Sequence, residues 1–509
     1  MSSIPPVAVG VAAATYLLLV ALLRFTQDAK EPTLIKDTVP FVTPIINMVS
    51  NGGAFHRLMS NADSRDKYNL PIYTLRLPDS RMYVVNSPQL ITAVQAQFRT
   101  LSFTAIEATI AANLLGCKKS TIEIIGGDVT KDEGYLMSFP KYVHSALSAG
   151  PGLDAMNRRA IQVISKSLDD WSEKGATKIQ MWQWVRHELL LASTEGVYGP
   201  KNPFRDPATE EAWYFSLASS PRKVSALEYM VKVWEQYFDA GSYQQGSELV
   251  KARVKINDDF HIPLMETARI EVAGSQAILT NTLPGTFWVV YHIFSDPVVL
   301  ESIRNELCKV VRQDDDGTCT IDLAHVKSSC PILLSTFKET MRMYSVSTAT
   351  RIAMEDHLLN NQYLLKKGST IMMPSAVQHT NRSVWGDTVG VFDHERFAPG
   401  SKRVNPVAIR GFGGGTTLCP GRHFASTEIL MFSALLVLRF ELHPVDGKWT
   451  APTIANSPMM NAMPVPDWDI NVEIRPRNNK AWKVSFSGYE RGMEIAAEDI
   501  EGASPDLGH

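Results

Sequence analysis

The hydrophobic positions of this chain fall into two regimes. From Val7 to Leu23 the run VAVGVAAATYLLLVALL carries no charge, and about 20 apolar residues of helix span a bilayer. Beyond it, apolar residues recur three and four apart over Met181–Val197, Ala226–Phe238, Ile262–Phe294, Pro297–Val311, Pro331–Tyr344 and Ala425–Phe440, the spacing of helices with one buried face. Short runs bounded by Pro, Gly or Asn, Ile72–Leu77, Met82–Val85 and Ser369–Pro374, read as strands. The pattern predicts a mainly α body with small β-sheets (α+β), preceded by one N-terminal transmembrane helix. Expected boundaries are 1–27 for the anchor, 28–488 for one catalytic body and 489–509 for an acidic, solvated tail. The Pro-bearing stretch Glu31–Pro44 reads as a linker or turn region.

Charge orients the anchor and removes one class of function. Arg24, Lys30 and Lys36 follow the apolar run and no basic residue precedes it, so positive-inside bias leaves the body in the cytosol. A cleaved signal peptide would carry a basic stretch first and a shorter apolar core. With 509 residues, 45% hydrophobic and 20% charged, the chain has ample material for a core. A formal charge of -3 without long basic runs gives no electrostatic footprint for nucleic acid.

The five cysteines, Cys117, Cys308, Cys319, Cys330 and Cys419, are an odd number with no CxxC pair, which implies neither a disulfide framework nor a zinc knuckle. Four read as small buried or partly buried hydrophobes. Cys419 stands apart, in FGGGTTLCPGRHFA, Phe412 to Ala425. Glycines on both sides allow close approach of a large flat ligand, and Pro420 fixes φ where a helix would begin. A thiol at that helix's N-terminus is expected to have a lowered pKa. These features suit a cysteine thiolate bound to haem iron.

The spacing Phe-x-x-Gly-x-x-x-Cys-x-Gly, realised as Phe412, Gly415, Cys419 and Gly421, resembles the haem-binding signature of the cytochrome P-450 superfamily. The resemblance implies haem b with Cys419 as axial ligand and Phe412, Gly415 and Gly421 around it. Thr417 stands where many members carry a basic residue. Glu-x-x-Arg occurs at Glu266/Arg269, Glu301/Arg304 and Glu339/Arg342, but only the last lies where the family places it, ahead of DHERF at Asp393–Phe397. Glu339 and Arg342, three apart on a helix, can pair, and Arg396 would complete a structural triad. Arg351 lies where the family has an arginine for a haem propionate. His379 and Trp385 read as packing residues, and no Trp-x-x-x-Arg marks the helix expected to contact the other side of the haem; His144, Arg158 and Arg159 are its unassigned neighbours.

The main departure lies in the long helix read over Ile262–Phe294. The family's Ala-Gly-x-Asp/Glu-Thr-Thr aligns with Ala277–Thr282, so Thr280 replaces the acid and Asn281 the alcohol of a proton relay. An amide donates and accepts but does not titrate. Pro284 removes a backbone donor three residues on and should open the helix. The run from Asn281 to Trp288 resembles the subgroup of bile-acid sterol hydroxylases and prostacyclin synthase. The resemblance implies a monooxygenase fed by NADPH through a reductase at the endoplasmic reticulum membrane. Its lipophilic substrate would be a sterol, terpenoid or other secondary metabolite, met by walls at Ala105–Gly116 and Met459–Met463. Two alternatives stay open, a reductase-independent isomerase or dehydratase of a peroxide or oxygenated substrate, and a haem protein that binds a ligand without turnover.

Overall fold

A computed structural model describes residues 6–35, 38–44, 46, 70–217, 223–458 and 461–487. Helix α1, Pro6–Thr26, contains the uncharged run. Its stretch Val9–Thr26 has mean hydropathy 1.9, and none of it is buried against the rest of the chain. The proposed acidic tail, 489–509, lies outside the described residues, as do Met459 and Met460.

The segment read as a linker is in part bonded to the β-lobe. Ile35 N donates to Thr74 O at 3.0 Å and Thr74 N to Thr33 O at 2.9 Å. Buried Glu31 accepts from Tyr83 Oη at 2.7 Å and pairs with Arg81 at 3.1 Å. These bonds add an extended segment to strand β1, Ile72–Arg76, which pairs antiparallel with β2, Arg81–Val85. Local turn residues signalled a linker, but the pairing partner lies far along the chain, beyond what local composition reports.

The lobe is a five-stranded sheet. Further strands are β3, Leu101–Ser102, β4, Thr348–Ala353, and β5, Thr370–Pro374, in the order β1-β2-β5-β4-β3. In its middle Ile371 opposes Arg351, so this strand register fixes where Arg351 sits. A smaller sheet joins Phe440–Pro444, Asn471–Pro476 and Thr177–Gln180.

The helical body contains α2, Thr104–Leu114, α3, Pro151–Lys174, α4, Met181–Tyr198, α5, Leu264–Leu279, α6, Thr282–Ser295, α7, Pro331–Tyr344, and α8, Arg422–Arg439. Helices α6 and α8 are buried along almost their whole length, and α6 is apolar nearly all round, as a helix at the centre of a large core tends to be. They pack on each other, with α3 and α4 around them and α7 against α6. Leu283, Phe287, Trp288, Leu435 and Leu436 share this core.

The helix read as continuous over Ile262–Phe294 is two helices. Pro284 has no N–H for the carbonyl of Thr280, and α5 ends at Leu279 while α6 starts at Thr282. The break is in hydrogen bonding more than direction, since Thr280 (φ -54°, ψ -34°) and Asn281 (φ -106°, ψ -27°) stay near helical values. Thr282 Oγ1 donates to Ile278 O at 2.9 Å, and Gly285 N donates to Asn281 O at 3.1 Å, so side chain and backbone partly satisfy the opened turn.

Candidate haem site

Cys419 ends a loop and α8 begins three residues later. Its N–H donates to Phe412 O at 2.9 Å, closing the loop into a compact turn, and the Phe412 ring lies 6.3 Å from that of Phe337 on α7. Gly413 and Gly415 have φ of 85° and 61°, values a side chain disfavours. A Cβ on Gly415 would also meet the Gln95 amide at 2.8 Å, and Gln95 Nε2 donates to Gly414 O at 2.8 Å. The glycines of this loop are thus required by its own fold and its packing. At Gly421, φ is an ordinary -81°, and a Cβ there would stand 3.9 Å from the sulfur of Cys419.

The thiol is held above its ordinary pKa, contrary to the expectation from the helix terminus. Burial is the larger effect; the backbone N–H groups of Gly421 and Arg422 and the charge of Arg422 pull it down. The predicted donors are present, but they do not outweigh removal from water. A bound metal ion reverses this balance by favouring the deprotonated ligand. Among the other cysteines, Cys117, Cys319 and Cys330 are buried as expected, whereas Cys308 is exposed.

The charged residues Glu339 and Arg342 of α7 come together with Arg396. Arg342 Nε and Nη2 each donate to Glu339 at 2.7 Å, and Arg396 Nε reaches the same carboxylate at 3.0 Å. Both Glu339 and Arg342 are buried, and a parallel pair of charge-assisted bonds is the geometry that survives there. The two decoy motifs pair elsewhere, Arg269 with Glu228 and Arg304 with Glu441. His379, read as packing, is a connector. Its carbonyl accepts from Arg342 Nη1 at 2.8 Å, its Nε2 accepts from Arg410 N at 2.9 Å, and its Nδ1 faces Ser345 O at 3.1 Å. Because Nε2 accepts, the proton resides on Nδ1, and burial holds the ring neutral with a pKa near 3.

Three guanidinium groups are buried without a carboxylate ion pair among the described residues: Arg76, which bonds Thr26 Oγ1 and lies over the Phe41 ring in the β-lobe, and two near the cysteine loop, Arg351 and Arg410. Arg351, fully buried, donates to Thr350 O at 2.8 Å and to Thr417 Oγ1 at 2.7 Å, yet its Nε has no partner. Arg410 is 3% exposed and its Nη2 has no partner. Burial pulls Arg351 and Arg410 each down to about 10, and the charge of Arg410 adds to the effect on Arg351. Unpaired buried cations are costly. Two cations beside a loop that offers a thiol fit a ligand with two carboxylates and a metal, which is the donor set of haem. Sequence reasoning missed Arg410, although it stands two residues before Phe412. The unassigned cations take other roles: Arg159 pairs with Glu195 at 2.8 Å, Arg158 lies over the Phe486 ring at 4.5 Å, and His144 contacts Ser148 at 3.1 Å.

Asn281 and Thr280 sit at the break between α5 and α6, and α6 packs on α8, the helix entered from the cysteine loop. Asn281 Oδ1 accepts from Met463 N at 3.0 Å. A backbone N–H can only donate, so the carbonyl end of the amide is committed and Nδ2, without a partner among the described residues, is free to donate. No hydrogen bond joins Thr280 or Asn281 to the cysteine loop among the described residues. A surface cleft of about 590 Å³ beside Arg159, Lys166 and His187, between α3 and α4, contains none of these groups.

A profile of cytochrome P450 matches residues 274–466, which hold the helix break, the charged triad and the cysteine loop. The chain is 33% identical over 482 residues to the cytochrome P450 monooxygenase nodJ of Hypoxylon pulicicidum, covering 89% of this chain and 91% of that protein. It is 29% identical over 231 residues to cytochrome P450 7A1 of Oryctolagus cuniculus, covering 42% of this chain and 46% of that one. Among solved structures, the retinoic acid-bound cyanobacterial CYP120A1 superposes with a TM-score of 0.66 at 17% identity, over 88% of this chain and 99% of that one.

The chain belongs to the cytochrome P450 family. It is a P450 monooxygenase whose cofactor is haem carrying a cysteine thiolate as axial ligand.

Proposed function

We propose that this chain inserts one oxygen atom from O2 into a bulky lipophilic sterol, terpenoid or other secondary metabolite. Electrons would come from NADPH through a cytochrome reductase. In this reading residues 1–27 anchor it as a single-pass protein of the endoplasmic reticulum membrane, 28–488 form the cytosolic haem-thiolate domain, and 489–509 are a tail. The observation that carries the substrate class is α2, whose apolar residues Ile106, Ala108, Ile110 and Ala112 are left unburied, only Ala111 being buried. Uncovered apolar surface of this kind is what a lipophilic ligand buries. Similarity to P450 7A1 and to the cholesterol 7-alpha-monooxygenase of Cricetulus griseus, 28% identical over 42% of this chain, supports a sterol-like size. The unburied apolar α1 supports the membrane assignment.

When bound, the haem supplies activation of O2 and oxygen transfer. The residues of this chain hold, orient and shield. Cys419 would be the axial ligand, with Phe412, Gly415 and Gly421 shaping its loop. Arg351 and Arg410 would bind the two carboxylates. Glu339, Arg342 and Arg396 hold α7 against the segment that precedes the loop. Asn281 offers an N–H donor, and Thr280 a hydroxyl, at a break that contains no carboxyl group. The amide holds a proton at Nδ2 and cannot relay it as an acid would, so protons would reach this site through water or another group.

The test is expression in microsomes with a reductase and a panel of lipophilic substrates, read by mass. A product heavier by one oxygen that requires NADPH is expected. An isomeric product of unchanged mass, formed without NADPH, would replace this reading with the isomerase alternative.

A further inference from the structure

One carboxyl group is left over once the haem-binding residues are assigned. Glu107 lies in the first turn of α2, which packs on β4. Its N–H bonds to Phe103 O at 3.2 Å, and residues four apart share a helix face. The Phe103 ring lies 5.3 Å from the Arg351 guanidinium, and Arg351 is the cation whose charge acts on Glu107. Phe103, just before the helix, and Glu107 in its first turn therefore lie on the side of the same buried arginine.

That arginine does not neutralise the acid. Glu107 accepts no side-chain hydrogen bond and joins no ion pair among the described residues, and burial pushes its pKa up to about 7 despite the pull of Arg351. With Arg351 and Arg410 engaged by the haem carboxylates, Glu107 would face more negative charge, which favours its protonated form further. A carboxyl in this state donates one hydrogen bond and accepts others. Around it the helix offers Ile106, part-buried, and Ile110, exposed at 45%. A polar group set among apolar side chains is how a site orients a mostly apolar ligand.

We propose that Glu107 is a specificity-determining residue whose carboxyl hydrogen-bonds a hydroxyl group of the lipophilic substrate, fixing which carbon is presented for oxidation. The inference rests on the lipophilic-substrate reading above and adds that the substrate is an alcohol. A site built around such a bond discriminates strongly against the analogue that lacks the hydroxyl, because its own polar group is then left unpaired.

The test uses the haem-loaded protein and no turnover. Imidazoles bind haem iron and shift its Soret band. 1-(ω-Hydroxyalkyl)imidazoles of increasing chain length are titrated, each against the 1-alkylimidazole of equal length. In the wild type, one length should bind about ten-fold tighter than its alkyl twin, the worth of one good hydrogen bond. Glu107→Leu should erase that ratio, and Glu107→Gln should keep part of it. The alkyl compound is the internal control in every variant. A ratio near one at all lengths in the wild type, or a ratio undiminished in Glu107→Leu, overturns the proposal. No Soret shift with any imidazole would instead show that the haem assignment has failed.

Discussion

Arg351 Nη2 donates to Thr417 Oγ1 at 2.7 Å, tying the central sheet to the cysteine loop across the residue where many relatives carry a base. The threonine thus holds the arginine that would bind a haem carboxylate, one step removed from the ligand. Thr417→Val should leave the fold intact and speed haem loss several-fold; Arg351→Ala should leave little haem bound after purification. Haem-to-protein ratio and the rate of haem transfer to apomyoglobin measure both. Equal retention in Thr417→Val and the wild type would remove the tether.

Glu339→Ala would strand Arg342 and Arg396 beside an empty site. Breaking a buried pair by removing one partner costs about 3–5 kcal/mol, a large share of the stability of a domain. Little soluble haem protein is expected, and a thermal melt of whatever is recovered should lie well below the wild type. A melt unchanged within a degree or two would show that the triad is not structural.

Much of this site was legible because its signals are local. The spacing around Cys419 lies within a short stretch, and Glu339 and Arg342 are three apart on one helix. Pro284 correctly announced the opening near Asn281, since the missing N–H is a property of that residue alone. Contacts between distant segments were not legible. Arg410 looked like any loop arginine until burial and its unpaired Nη2 gave it a role, and His379 looked like packing until its three bonds were seen. The thiol of Cys419 went the opposite way from expectation because burial, a tertiary quantity, outweighed the local donors.

Asn281, fixed by Met463 N at 3.0 Å, presents a donor. Asn281→Asp keeps the acceptor for Met463 and replaces that donor with an acceptor; Asn281→Leu removes both. In the ferrous carbon monoxide complex both changes should move the C–O stretch to higher wavenumber. NADPH turnover should release more peroxide for each product formed. An unmoved stretch and unchanged coupling would show that Nδ2 does not face the ligand.

Glu428 on α8 is fully buried, accepts from Ser193 Oγ at 2.9 Å, and is pushed up to about 8 by burial. Its folded pKa exceeds its unfolded value, so the folded state holds the extra proton and stability falls as pH rises toward about 8. Between pH 6 and 8 the wild type should lose stability more steeply than Glu428→Gln, by up to about 1.4 kcal/mol per pH unit. Urea midpoints across that range report it, and parallel slopes would contradict it.

The most direct test is the absorption spectrum of the purified, reduced protein with carbon monoxide, taken for the wild type and Cys419→Ser. The wild type should show the strongly red-shifted Soret band of thiolate-ligated haem, and the variant should lose it. A wild-type band at the position of histidine-ligated haem, or a thiolate band that survives in Cys419→Ser, would contradict the assignment of the sulfur at 419 as the axial ligand.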